Sequence, residues 1–307
     1  MTAPSTPGTF TISLDCEGRW GMADHITGHH RHHVTRAKLR AAYRRLVDLF
    51  ARYDVPTTFA FVMAFTLDEE EQREFAGRLT DVTVDGANWL RCFRADEQAG
   101  DTDGWFCPEA LDMVREDGRH EIGCHGFTHA LLGEGRIAPE DAASELANAR
   151  AVIARKGLRD CDSFVFPRNL VGNLPALKAA GFTAYRAAPP AAFGRIGSLA
   201  REFHLIDRAQ SQPPQPDPSL ATYPSGYFLN WRFGLRRRVP MAVTHRRWRS
   251  ILADASRRGL SAGLFLHPHN IIDAPETFDL LEAIVADAAR RRDRGELAIV
   301  PLRGLRR

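Results

Sequence analysis

The chain has 307 residues, 44% of them hydrophobic and 26% charged, and a formal net charge of +3. These values allow a substantial core and lie far from the disordered and membrane classes. No apolar run approaches the ~20 residues of a membrane span, and the opening MTAPSTPGTF lacks the charged start and apolar core of a secretion signal, so a cytoplasmic protein without stable membrane insertion is expected.

Residues 9–15, TFTISLD, read as a strand, residues 36–53 as an amphipathic helix and residues 56–63, PTTFAFVM, as a second strand. This is the rhythm of a parallel sheet covered by helices. Residues 80–105 break it with a polar stretch rich in Gly and Asp that carries Trp89 and Trp105. It resumes with the strand HEIGCH at 120–125, a helix near 139–156 and the strand SFVFP at 163–167. A short helix near 175–180 stops at Gly181, followed by FTAYR and the loop QSQPPQPDP at 210–218. Helices near 245–258 and 276–292 then flank the strand AGLFLH at 262–267, and ELAIVPL closes the chain. About seven strand–helix units imply a barrel or a curved open sheet. One domain over 1–307 is expected, with insertions near 80–106 and 207–240.

The five cysteines, Cys16, Cys92, Cys107, Cys124 and Cys161, are scattered without a CxxC pair and should be free thiols. The basic runs at 235–238, 245–249 and 290–292 read as solvated surface, mostly helix faces, so no nucleic-acid partner is expected.

In a parallel α/β fold chemistry gathers where strands end. Asp15 and Glu17 follow the first strand, His125 and His129 follow HEIGC, Arg168 and Asn169 follow SFVFP, and His267 and His269 follow AGLFL. Two imidazoles and one carboxylate suit a divalent ion that keeps a position for water, whose pKa falls toward ~7. A second carboxylate can take the proton, and a further imidazole can protonate a leaving group. Asp15 and Glu17, two apart in extended chain, share a face with Cys16 turned away, so one can bind metal while the other stays free as a base. His120, earlier in its strand, suits a structural hydrogen bond.

With these residues in place, RHEIGCHGFTH (119–129) resembles the Gly-His-Glu-Ile-Gly-x-His-x-x-x-His block of the polysaccharide deacetylase family, carbohydrate esterase family 4 or NodB homology domain, with Arg119 in place of the glycine. The resemblance runs in order from about residue 9 to 302. It implies a distorted (β/α) barrel of about seven parallel strands and metal-dependent removal of N-acetyl, O-acetyl or N-formyl groups from sugars. It further implies one divalent metal, zinc first, on His125, His129 and an acidic residue of LDCEG. The family's adjacent aspartates are here Asp15-Cys16-Glu17. Aligned on Gly18, Glu17 is the ligand and Cys16 falls on the base; aligned by strand face, Asp15 is the base, which is preferred because a thiol substitutes poorly for a carboxylate. Arg168 matches the family's arginine in type and strand end, with pairing to Asp15 as its task. His267 resembles the general acid, with His269 in reserve.

Substrate contacts are expected from Trp20, Asn169, His269 and Trp231, and the rings of Trp20, Trp89, Trp105 and Trp231 favour a sugar because a flat apolar ring can stack on a sugar face. The tract GHHRHH at 28–33 has no family counterpart and reads as a solvated loop beside the site, with a phosphate or a second metal as alternatives. The expected substrate is an N-acylated amino sugar or a glycan precursor. A carbohydrate-binding protein that has lost catalysis and an allantoinase-like hydrolase of non-sugar C–N bonds are the rival readings.

Overall fold

The computed structural model describes residues 6–189, 208–229 and 238–306. Strand β1 (Gly8–Cys16) alternates strictly. Phe10, Ile12, Leu14 and Cys16 turn to the helices and are fully buried, while Ser13 and Asp15 turn inward to meet Arg186. The short helix α1 (Gly28–His33) and the long helix α2 (Arg36–Arg52) follow, each opened by a threonine hydroxyl, Thr27 or Thr35, that accepts a backbone N–H three residues on. Helix α2 lays Leu39, Tyr43, Leu46 and Phe50 on the core.

After β2 (Thr58–Phe61) comes α3 (Glu69–Phe75). The polar stretch near 80–105 folds into a hairpin, β3 (Thr83–Val84) and β4 (Ala87–Asn88), followed by α4 (Arg91–Gln98). Helix α5 (Pro108–Asp117) stops at Gly118, whose φ of 73° is a left-handed cap. Then come β5 (Glu121–Cys124), α6 (Pro139–Arg155), β6 (Ser163–Phe164), α7 (Leu174–Ala179) and β7 (Ala184–Arg186). The short strands β8 (Ala221–Tyr223) and β9 (Tyr227–Phe228) precede α8 (Met241–Arg258), β10 (Ser261–Leu266), α9 (Asn270–Asp273), α10 (Pro275–Asp293) and β11 (Leu297–Ile299).

The main sheet has nine strands in the order β8-β7-β6-β5-β2-β1-β10-β9, every pairing parallel, with β11 beside the start of β1. Among the described residues no pairing joins β8 to β9, so the sheet curls into a half-barrel. The count exceeds the expected seven by β8 and β9, strands of three and two residues in the stretch after the 210–218 loop.

Small polar side chains fill the lower interior. Thr58 and Ser163 donate to the two oxygens of Glu121 at 2.7 Å each, and the backbone N–H of Arg303 donates to Glu121 at 2.9 Å, closing the bottom. His120 has the structural role expected of it: its Nδ1 meets the Thr57 hydroxyl at 2.9 Å. All five cysteines are free, and no helix among the described residues is long and apolar enough to cross a membrane.

Candidate metal and catalytic site

Because every pairing in the main sheet is parallel, the carboxyl ends of β1, β5, β6, β7 and β10 meet at one edge. Alternation along the strands selects which side chains enter. Glu121, Gly123 and His125 share the inner face, as do Gly263, Phe265 and His267.

Glu17, His125 and His129 are brought together with their ligand atoms within 4.8 Å of one another, all three buried. His129 Nε2 lies 2.9 Å and His125 Nε2 3.5 Å from Glu17 Oε2. His125 donates its Nδ1–H to the Val165 carbonyl at 2.7 Å, which fixes the tautomer and leaves the Nε2 lone pair facing Glu17. His125 Nε2 and both ring nitrogens of His129 are buried without a hydrogen-bond partner among the described residues. Orphaned imidazole nitrogens converging on a carboxylate fit a divalent ion, and two histidines with one glutamate form a donor set that zinc uses with a position left open. Burial lowers the His129 pKa, against the pull of the neighbouring Glu17 carboxylate. Burial also opposes ionisation of Glu17, but His267, His129 and His125 outweigh it and hold its carboxyl well below the usual range.

Two backbone features support this triad. Gly21 stands where any side chain would collide with Glu17, since a Cβ there would lie 2.0 Å from Oε1. His129 occupies the left-handed region at φ 64°, a strained position for a bulky residue. The loop that imposes it is clamped by Glu145 of α6, a buried carboxylate that accepts from the N–H groups of Phe127 at 2.9 Å and Thr128 at 2.6 Å and from the Thr128 hydroxyl at 2.9 Å.

Asp15 lies beside the triad with a different partner. Arg186, at the end of β7, reaches across the half-barrel and grips both oxygens of Asp15 at 2.7 Å, with the two side chains 0% and 3% exposed. The same guanidinium donates to Ser13 Oγ and to Asn169 Oδ1, each at 2.8 Å, and sits 4.5 Å from the ring of Phe265. Burial would raise the Asp15 pKa, but Arg186, with help from His125 and His267, holds it below the ordinary value. Cys16 turns away into the helix layer beside Tyr43, and burial raises its thiol pKa.

Arg168 does not pair with Asp15. It follows β6 in a tight turn where it and Asn169 have φ of 51° and 56°. That turn swings the guanidinium outward to Asp24, at 2.5 and 3.0 Å. Sequence reasoning missed Arg186, Glu145 and Gly21. Arg186 alone carried a usable signal, as the last residue of the expected strand FTAYR.

His267 Nε2 stands 3.7 Å from Glu17 Oε1 on a side chain 23% exposed, so the ring is partly open to solvent. His269 stacks on it with centroids 5.1 Å apart. Asn169 is engaged by Arg186. Trp20 is not a substrate platform: it is fully buried, donates Nε1–H to the Trp105 carbonyl at 2.6 Å and packs edge-on against Trp105 5.0 Å away. Trp89 and Trp105 are also buried, because the 80–106 segment folds over the β1 end instead of projecting into solvent. Trp231 lies outside the described residues. The tract at 28–33 forms α1 rather than a loop, with no buried residue.

Residues 35–186 match the model of the polysaccharide deacetylase family. Among solved structures, the chain resembles a protein from Mycobacterium smegmatis assigned as a polysaccharide deacetylase, at TM-score 0.63 and 13% identity over 99% of this chain and 91% of that one. It also resembles one from Pseudomonas aeruginosa PAO1 with the same assignment, at TM-score 0.57 and 13% identity over 96% and 88%. Identity this low speaks for the fold alone. A comparison with curated protein sequences gives no match. The matched segment carries His125, His129, Asn169 and Arg186, and through it the chain belongs to the polysaccharide deacetylase family.

Proposed function

We propose that the protein is a metal-dependent amide hydrolase that removes an N-acetyl or N-formyl group from an amino sugar or a sugar-containing precursor. The observation that carries this reading is the pairing, at one sheet edge, of a buried Glu17–His125–His129 donor set with a separately ionised Asp15. Family membership supplies the acylated sugar as the substrate class.

In this reading Glu17, His125 and His129 hold one divalent ion, zinc first. The chemistry such an ion supplies is Lewis-acid polarisation of the acyl oxygen and acidification of water toward neutral pH. Asp15 takes the proton of the attacking water, and Arg186 keeps it ionised and aimed for that task. His267 gives a proton to the departing amine from the open side of the site. Its Nδ1–H is committed to Asn270 Oδ1 at 3.2 Å, which turns Nε2 toward the reacting centre. One water is consumed, the amide C–N bond breaks, a C–O bond forms, and the carboxylate leaves beside the free amine.

The experiment is release of acetate or formate from N-acyl sugar nucleotides, free N-acyl amino sugars and chitin oligomers in parallel, before and after metal removal. The reading expects release that chelation abolishes and zinc restores. Sugar binding without release would instead support the binding-protein reading, and release of product only from ureides would support a non-sugar hydrolase.

A further inference from the structure

The Glu17 carboxylate faces two histidine pairs. Oε2 faces His125 and His129, while Oε1 faces His267, and Glu17, His267 and His269 form a second group whose ligand atoms lie within 4.8 Å of one another. We propose that this second triad is a site for a second divalent cation, bridged to the first through Glu17. The proposal rests on the metal reading of the first triad and extends it.

Three observations carry the assignment. Ligand atoms ~2.0–2.2 Å from one tetrahedral ion stand about 3.4 Å apart. The 3.7 Å between His267 Nε2 and Glu17 Oε1 is close to that, as is the 3.5 Å of His125 in the first triad. The rings are also oriented alike, since Asn270 Oδ1 accepts from His267 Nδ1 at 3.2 Å as the Val165 carbonyl does from His125. Finally, His269 Nδ1 is buried without a hydrogen-bond partner among the described residues, the same orphaned state as the ring nitrogens of His129.

Asp15 is already neutralised by Arg186, so Glu17 is the single carboxylate shared by both ions, and their repulsion makes the second bind more weakly. An ion on His267 Nε2 occupies the lone pair that would carry the proton for the departing amine. Excess metal therefore inhibits the proposed reaction, while one equivalent supports it.

The test is metal counting by equilibrium dialysis of the chelator-stripped full chain against buffered free zinc, with elemental analysis. Two equivalents are expected in the wild type, the second at least 10-fold weaker. His269→Ala and, independently, Asn270→Ala should keep the first equivalent and weaken the second 10-fold or more. Manganese in place of zinc should give a spin-coupled resonance spectrum at two equivalents, a readout that needs no variant. Saturation at one equivalent up to millimolar zinc, or two uncoupled manganese ions, overturns the proposal. So does a second equivalent lost in His29→Ala but kept in His269→Ala, because that ion sits on α1. One equivalent with acyl release leaves the proposed function standing without this inference; two coupled equivalents without acyl release do the reverse.

Discussion

Replacing Arg186 with methionine removes one partner of a fully buried ion pair and leaves the Asp15 carboxylate facing a site from which water is largely excluded. Both side chains are almost completely inaccessible, at 0% and 3%, so solvent cannot take over the charge. Breaking such a pair costs about 3–5 kcal/mol. With an unfolding entropy of about 2.1 cal/mol/K per residue over 307 residues, this lowers Tm by about 5–8 °C.

The pH dependence has a definite sign. In the wild type Arg186 holds the Asp15 pKa below its ordinary value, so the pair stabilises the fold above the unfolded-state pKa and is lost as pH falls through the folded one. Without Arg186, burial dominates and the Asp15 pKa rises, so the variant loses stability as pH climbs. The Tm gap is therefore widest near neutrality and narrows toward about pH 4. Thermal melts at several pH values measure it, with Arg168→Met as the control. Arg168 and Asp24 are 34% and 22% exposed, and a screened pair of this kind is worth about 0–1 kcal/mol. A Tm loss in Arg168→Met equal to that in Arg186→Met, or a gap that does not change with pH, would refute the assignment of Arg186 as the partner of Asp15.

Gly21→Ala places a Cβ 2.0 Å from Glu17 Oε1, so the carboxylate must move and zinc affinity should drop at least about 10-fold; calorimetric titration reads this, and unchanged affinity would show that Glu17 is not a ligand. Glu145→Ala orphans the N–H groups of Phe127 and Thr128 at about 1–3 kcal/mol each and frees the loop that holds His129, so zinc affinity should fall about 10–100-fold, with partial rescue in Glu145→Gln. Normal zinc binding by Glu145→Ala would mean that the loop is held by its other contacts, such as the Met63 N–H to the Gly126 carbonyl.

The parallel sheet, the inward turn of Asp15 and the delivery of His125 and His267 to one edge were legible in the sequence. Strand alternation has a period of two residues and is set by local backbone geometry, so it needs no knowledge of the fold. The spacing of His125 and His129 was readable too, although its left-handed turn at φ 64° was not, since that conformation is imposed by Glu145 sixteen residues further along. Only the tertiary structure decided which arginine serves Asp15. Arg186 ends one strand and Arg168 follows another, and the choice turned on the curl that brings β7 across from β1 and on the tight turn that points Arg168 outward. It also decided the fate of Trp20, Trp89 and Trp105: a polar stretch looks solvent-facing in sequence, yet its few large apolar rings gain more by packing together over the β1 end than by waiting at a surface. The two-sided use of Glu17 was decided there as well, because a carboxylate's two oxygens become distinct only when different strands place histidines on each.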